Sequence, residues 1–296
     1  MKKIVEKIKS KNILISDGAW GTFLYAKGLK GGECPELWNI EHSDDVFDIA
    51  KSYIDAGADM IETNSFGGSS FKLSGYGLAN RAYELNKAAA EISRKAAGNE
   101  KYVLGSIGPS GKILMMGEVT EDEIYDAFKV QSVALSDGGA DAIIIETFTD
   151  IQEAVIAVRA AKENTSCEII CTMTFDKTVD GQYFTMMGIS PAAMVQPLME
   201  AGADIIGANC GNGMENMVEI VKEIRTINSE IPVLIHANAG MPIYKDGKTV
   251  FPEIPEEMAG YVPALLDAGA NIIGGCCGTR PEHIKQIKIM AQQNNG

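Results

Sequence analysis

The chain has 296 residues, 46% of them hydrophobic and 22% charged, an ordinary globular composition with length enough for a large core. A formal net charge of −14 argues against nucleic acid or an anionic membrane surface as a partner. No apolar stretch approaches the roughly 20 residues that span a bilayer, and the amphipathic start over residues 1–9 lacks the continuous apolar run of a signal peptide.

In chain order, the first expected strand is 13–16, ending in the glycine-rich loop 17–22, and a polar loop runs over 27–43. A helix is expected over 46–56, with Gly57 as its C-terminal stop. The strand 59–63 opens into a glycine-bearing turn and the helix 79–97. The strand 102–107 is broken by Gly108 and Pro109, and the helix 121–136 follows. Strands are then expected at 142–146, 168–174, 204–208, 233–237 and 272–275. They alternate with helices at 151–162, 191–201, 214–227, 256–268 and 281–291.

These strands are continuous apolar runs, as parallel strands covered on both faces require. A weak repeat supports a repeated unit: Gly57-Ala-Asp, Gly139-Ala-Asp, Gly202-Ala-Asp and Gly269-Ala-Asn each join a helix end to a strand start. Strand-then-helix units with short joints favour one (β/α)8 TIM barrel over residues 1–296, with an open doubly wound sheet as the alternative. In such a barrel the chemistry lies at the carboxyl ends of the strands. Those ends carry Asp17, Glu62 with Asn64, Glu146 with Thr147, Thr174, Asn209 with Cys210, Asn238, and Cys276 with Cys277.

Six cysteines in a chain of this length do not look like a disulfide framework. A reducing cytoplasm is expected, where clustered cysteines bind metal or do chemistry. Cys167 and Cys171 sit in or beside an apolar run and read as small core residues. Cys210, Cys276 and Cys277 sit in glycine-rich turns. Each alone could also be a buried hydrophobe. Together, three thiolates suit a Zn2+ ion and leave one tetrahedral position free. His42, His236 and His283 are poorly placed as a fourth ligand, and His236 reads as a hydrogen-bonded core residue. A centre with three thiolate ligands suits a further sulfur, so an incoming substrate thiol would be held as thiolate, the nucleophilic form. Asp17 and Glu146 read either as turn-capping acids or as a pair gripping an ammonium group. Gly18, Ala19 and Gly21 offer backbone N–H groups to a carboxylate.

The motifs Asp17-Gly-Ala-Trp-Gly-Thr22, Glu62-Thr-Asn64, Ile145-Glu-Thr147, Gly207-Ala-Asn-Cys-Gly211, Ala237-Asn-Ala-Gly240 and Gly274-Gly-Cys-Cys-Gly-Thr279 occur in the order found in the homocysteine S-methyltransferase family, which the chain resembles over nearly its whole length. The resemblance implies a zinc-binding (β/α)8 barrel that methylates homocysteine to methionine. It also implies zinc on Cys210, Cys276 and Cys277, and the substrate amino group on Asp17 and Glu146, with Gly18, Ala19, Asn209 and Asn238 beside the substrate. Within the family the chain is most similar to the homocysteine-binding barrel of cobalamin-dependent methionine synthases: Thr147 stands where the betaine-using branch has a tyrosine. By that similarity Asn238 can occupy the zinc when homocysteine is absent, or else it shapes the turn before Gly240. Methylcobalamin, carried by another domain or by a separate corrinoid protein, is then the expected donor, with S-methylmethionine or betaine as alternatives. A non-catalytic zinc- or thiol-binding subunit is a further reading. Trp20 replaces a common methionine, which leaves a related thiol acceptor open. The loops 27–43, 64–77 and 175–189 are expected to rim the barrel mouth. The chain stops where a folate barrel would begin in the multidomain enzymes, so either a fragment or a free-standing protein is expected.

Overall fold

Isoleucine, valine and leucine dominate the main strands, and the fold buries them on both faces. A computed structural model describes residues 3–10, 13–245 and 247–294. The barrel strands are β1 (Leu14–Ile15), β2 (Met60–Glu62), β3 (Tyr102–Ile107), β4 (Ala142–Phe148), β5 (Glu168–Met173), β6 (Ile205–Asn209), β7 (Val233–Ala237) and β8 (Ile272–Gly275). All their pairings are parallel, in the order β1–β8–β7–β6–β5–β4–β3–β2. Asp59 bridges the remaining seam. Its N–H donates to the Ile15 carbonyl at 2.6 Å, and its carboxylate accepts the Ile15 N–H at 3.0 Å. The sheet is thus a nearly closed (β/α)8 barrel, as the sequence pattern led us to expect.

Outside the strands lie α1 (Ser43–Asp55), α2 (Ala82–Ala97), α3 (Glu121–Asp137), α4 (Ile151–Asn164), α5 (Pro191–Ala201), α6 (Met214–Ile227), α7 (Val262–Ala268) and α8 (Pro281–Gln293). Their starts follow from local chemistry. Thr120 and Glu123 form a capping box on α3, Asp150 caps α4, and Ser190 caps α5 ahead of Pro191.

Period two along each strand sorts the side chains into layers. The inner layer at the barrel bottom is apolar: Leu14, Met60, Leu104, Ile144, Ile170, Ile205, Leu234 and Ile272 cluster together. Two residues further along, the same inward series becomes Glu62, Ser106, Glu146, Thr172 and His236. A polar floor therefore rests directly on an apolar plug, and the strand register alone puts it under the catalytic mouth.

Several local features differ from the sequence reading. The amphipathic start forms the helix Ile4–Lys9, which seats Ile4 and Ile8 in the bottom layer while the Glu168 carboxylate accepts the Val5 N–H at 3.1 Å. The glycine-rich loop yields to a helix, Gly21–Lys27. Within the loop 27–43, a 3-10 turn at Pro35–Leu37 runs into the helix Trp38–Glu41 because Trp38 finds core to bury in. The single helix expected over 256–268 is two, Pro255–Ala259 and α7, since Pro263 cannot donate to a preceding turn and belongs at a helix start. No helix among the described residues is long and apolar enough to cross a membrane.

Candidate metal and substrate site

Cys210 follows β6 directly, and Cys276 and Cys277 follow β8. Their loops are fixed by backbone bonds to β7 and the turn after it. The Cys210 N–H donates to the His236 carbonyl at 2.9 Å, the Cys276 N–H to Ala237 at 2.7 Å, and the Ala239 N–H to Cys277 at 3.0 Å. Gly278 turns the chain away at φ 81°, and a Cβ there would meet Phe251 at 2.2 Å. Cys210 itself stands at φ 58°, a left-handed conformation that costs a residue with a Cβ roughly 1–2 kcal/mol.

The three sulfurs lie within 4.8 Å of one another, and Cys210 Sγ is 3.8 Å from Cys277 Sγ. Tetrahedral zinc with Zn–S bonds of about 2.3 Å sets ligand sulfurs roughly 3.8 Å apart. The donor set therefore fits a soft tetrahedral cation in both spacing and chemistry. The cluster already favours a thiolate: hydrogen bonds from the Cys276 and Cys277 thiols push the Cys210 thiol down to about 3. Cys277 is pushed up to about 12, chiefly by its contact with Cys210. Asn238, 2% exposed, hydrogen-bonds the Cys210 sulfur, and its Oδ1 is a buried acceptor with no partner among the described residues. A bare acceptor on a residue that hydrogen-bonds the Cys210 sulfur could serve as a further metal ligand.

A cavity of about 420 Å³ opens over this cluster. Cys210, Cys276, Cys277, Glu62, Ser106, Glu146 and His236 form its floor. Gly18, Ala19 and Trp20 lie on its wall. Glu36, Phe66, Lys72 and Tyr76 bring in the loops 27–43 and 64–77 as the rim. No residue of 175–189 lines the cavity, correcting that expectation; this segment folds back as the ribbon Asp176–Lys177 with Tyr183–Phe184.

The residues expected to bind metal or substrate fall in this neighbourhood, though not in one role. Glu146 receives the Ser106 hydroxyl and, at 3.3 Å, the Asn209 amide. Burial holds its carboxyl well above the usual range, and the charge of Glu62 adds to this. Asn209 uses its whole amide within the protein. Its Oδ1 accepts the Thr147 N–H and the Thr172 hydroxyl, both at 2.7 Å, and its Nδ2 donates to Glu146 and Thr147. It ties the acidic floor to the turn that carries Cys210. Asp17 is 1% exposed and lies behind the cavity wall; burial raises its carboxyl, and His236 partly offsets that. The Ala19 N–H donates to Thr279 Oγ1 at 3.0 Å, so this backbone donor is already engaged. Trp20 turns its indole N–H to Asp17 at 2.9 Å.

Two residues to which the sequence reading gave no individual role are part of the site. Glu62 looked like one more polar strand end. Thr279 accepts from Ala19 and donates to the Cys276 carbonyl at 2.7 Å, joining the first loop to the thiol loop. Adjacency to Cys276 and Cys277 was the only available signal for Thr279. His236 is buried with its Nδ1 within ion-pair distance of Glu62 Oε1 at 3.2 Å, while its Nε2 has no hydrogen-bond partner among the described residues, unlike the hydrogen-bonded core residue expected. His283 does serve structure. Its Nδ1 accepts the Arg280 N–H at 3.1 Å and its Nε2 meets the Glu253 carbonyl at 3.0 Å.

Fold and site define a class: a (β/α)8 barrel whose catalytic face carries three convergent thiols beside a buried acidic floor. The family model for homocysteine S-methyltransferase matches residues 14–291, and the chain belongs to that family. It is 32% identical over 298 residues to the methionine synthase of Mycobacterium tuberculosis, covering 95% of this chain and 25% of that protein. It is 30% identical over 306 residues to that of Mycobacterium leprae, covering 97% and 25%. The chain thus spans a quarter of the length of these relatives. Among solved structures, the metallated form of the homocysteine methyltransferase MmuM from Escherichia coli shares the fold. Its TM-score is 0.78 at 22% identity, over 96% of this chain and 98% of that one. The oxidized form gives 0.79 at 23%, over 97% and 99%.

Proposed function

We propose that this barrel holds zinc on Cys210, Cys276 and Cys277 and methylates the thiol of homocysteine, giving methionine. The observation that carries the reading is the convergence of those three sulfurs within 4.8 Å at the floor of a cavity. Bound there, zinc would act as a Lewis acid that keeps a substrate thiol ionised at neutral pH.

The chain's own residues do the rest. Glu146 on the floor and Asp17 behind it give the negative field that receives the substrate's ammonium group. Gly18, on the cavity wall, brings backbone close enough for the substrate carboxylate. Asn209 keeps Glu146 and Cys210 in register. The buried acceptor of Asn238 would be available to the metal at the position that the substrate sulfur would take. The substrate sulfur then attacks the donor methyl group: the S–C bond forms, and the donor keeps the electron pair of the bond that breaks.

The donor we propose is methylcobalamin on another domain or a separate corrinoid protein. Two features support this: the relatives named methionine synthase, and the threonine that follows Glu146. The free cysteines, three of them gathered as a ligand set, support a reducing compartment, and the cytoplasm is the location we propose. The test is methionine formation from homocysteine with methylcobalamin, S-methylmethionine and betaine supplied in turn. Turnover with methylcobalamin, lost together with zinc in Cys276→Ser, is expected. Turnover with another donor alone moves the protein to that branch. Undiminished activity in Cys276→Ser refutes the reading.

A further inference from the structure

The four joints that repeat in the sequence fall at equivalent places in the barrel. Their third residues, Asp59, Asp141, Asp204 and Asn271, stand immediately before β2, β4, β6 and β8. Each grips one residue of the preceding odd strand by both of its backbone groups. Asp59 does this to Ile15, Asp141 to Val103, Asp204 to Ile169 and Asn271 to Val233. The backbone N–H donates to that residue's carbonyl at 2.6–2.9 Å, and the side-chain oxygen accepts its N–H at 2.8–3.0 Å. Each gripping side chain also meets a cation from an even-numbered helix: Lys288 of α8, Arg94 of α2, Lys162 of α4 and Arg225 of α6. That cation's side chain lies over the glycine of the same joint. Gly57, Gly139, Gly202 and Gly269 all hold φ between 102° and 108°, and a Cβ on any of them would come within 3.4 Å of it. The arrangement recurs at every second strand, so its period is one βαβα unit.

The four clamps do not carry equal weight. Ladders of parallel backbone bonds also join β3 to β4, β5 to β6 and β7 to β8. Among the described residues no ladder joins β1 to β2. At that seam the clamp is doubled: Asp59 takes Lys288 at 2.6 Å and also Lys101, just before β3, at 3.2 Å. At the upper end of the seam the Glu62 N–H donates to the Asp17 carboxylate at 2.9 Å. Both sides of the seam line the cavity, Gly18 and Trp20 after β1, Glu62 and Asn64 at the end of β2. A carboxylate at the barrel bottom therefore stands in for the missing ladder beneath the site.

We infer that the barrel is a fourfold repeat of one βαβα unit locked by this clamp, and that Asp59 is a positioning residue: by closing the β1–β2 seam from below, it sets the first loop against β2 and so shapes the cavity wall. Asn271 shows that the clamp needs an acceptor rather than a charge. The binding readout below rests on homocysteine being the acceptor; the stability readout does not.

The test compares equivalent positions by differential scanning calorimetry and by calorimetric titration of the zinc-loaded protein with homocysteine. Asp59→Ala, Asp141→Ala and Asp204→Ala should each lower Tm by about 4–8 °C. Homocysteine affinity should fall at least about fivefold in Asp59→Ala and by less than about twofold in the other two, whose strands keep their ladders. Asp59→Asn, which keeps the acceptor as Asn271 does, should bind homocysteine within about twofold of the wild type. Equal losses of affinity in the three alanine variants overturn the positioning role, and unchanged Tm values overturn the clamp. A wild type that binds no homocysteine overturns instead the acceptor reading. In that case, or if Asp59→Ala fails to fold, amide hydrogen exchange of the wild type decides. The Ile15 amide should be protected as strongly as those of Val103, Ile169 and Val233, and fast exchange at Ile15 rejects the inference.

Discussion

Asn209 joins the acidic floor to the thiol loop, so its truncation should be felt in stability and in the site together. Asn209→Ala removes four hydrogen bonds at a position with no solvent exposure. It leaves the Thr147 N–H and the fully buried Thr172 hydroxyl without their acceptor. Each such orphaned donor costs about 1–3 kcal/mol, so the pair costs about 2–6 kcal/mol. The loss also frees two turns held in left-handed conformations, Thr147 at φ 64° and Cys210 at φ 58°. For a chain of this size 1 kcal/mol moves Tm by roughly 2 °C, so differential scanning calorimetry should show a fall of about 4–12 °C. Asn209→Asp keeps the acceptor but sets a second carboxyl beside Glu146. Its cost should shrink as the pH falls and one of the two acids takes up a proton. A Tm for Asn209→Ala within about 1 °C of the wild type would refute the reasoning.

Three further outcomes are expected. Thr279→Val removes the hydroxyl that links Ala19 to the Cys276 carbonyl, and zinc affinity measured by competition with a chelator should fall about 10–100-fold; unchanged affinity contradicts that role. Gly18→Ala places a Cβ 2.6 Å from Thr279 Oγ1 and 2.9 Å from the Tyr53 ring, so the first loop must shift and homocysteine binding should weaken at least tenfold in titration, with retained affinity counting against the wall described for it. Burial raises the Glu62 carboxyl above its ordinary 4.5, so the folded state binds the extra proton. That contribution to stability is full below about 4.5 and is lost as the pH rises through the folded value. Denaturant unfolding without substrate should therefore show Glu62→Gln gaining on the wild type as the pH rises, and the opposite trend rejects a raised value.

Much of this architecture was legible in the sequence because it is written locally. Apolar runs such as Ile143–Ile145 between glycine-marked helix ends fix strands and their order, and parallel αβ units in series leave few topologies besides a barrel. Cys210, Cys276 and Cys277 were legible because glycine-rich turns after strands are poor places for core side chains. What stayed hidden depends on contacts distant in the chain. Nothing near Asp17 announces that Glu62, 45 residues on, donates its N–H to it. Nor does the sequence around Asn209 show that its amide is consumed by Glu146, Thr147 and Thr172. The break in the helix expected over 256–268 was missed because its apolar spacing runs on across Gly260, while Pro263 decides against continuity. The helix Trp38–Glu41 escaped notice inside a polar segment too short to show a period.

In the proposed centre, three sulfurs of this chain share one metal ion and leave room for a fourth. X-ray absorption at the zinc edge, on protein with stoichiometric zinc, tests it most directly. Three sulfur neighbours and one oxygen or nitrogen are expected without homocysteine, and four sulfur neighbours with it. Fewer than three sulfurs in the free protein, or an unchanged first shell after homocysteine is added, would contradict it.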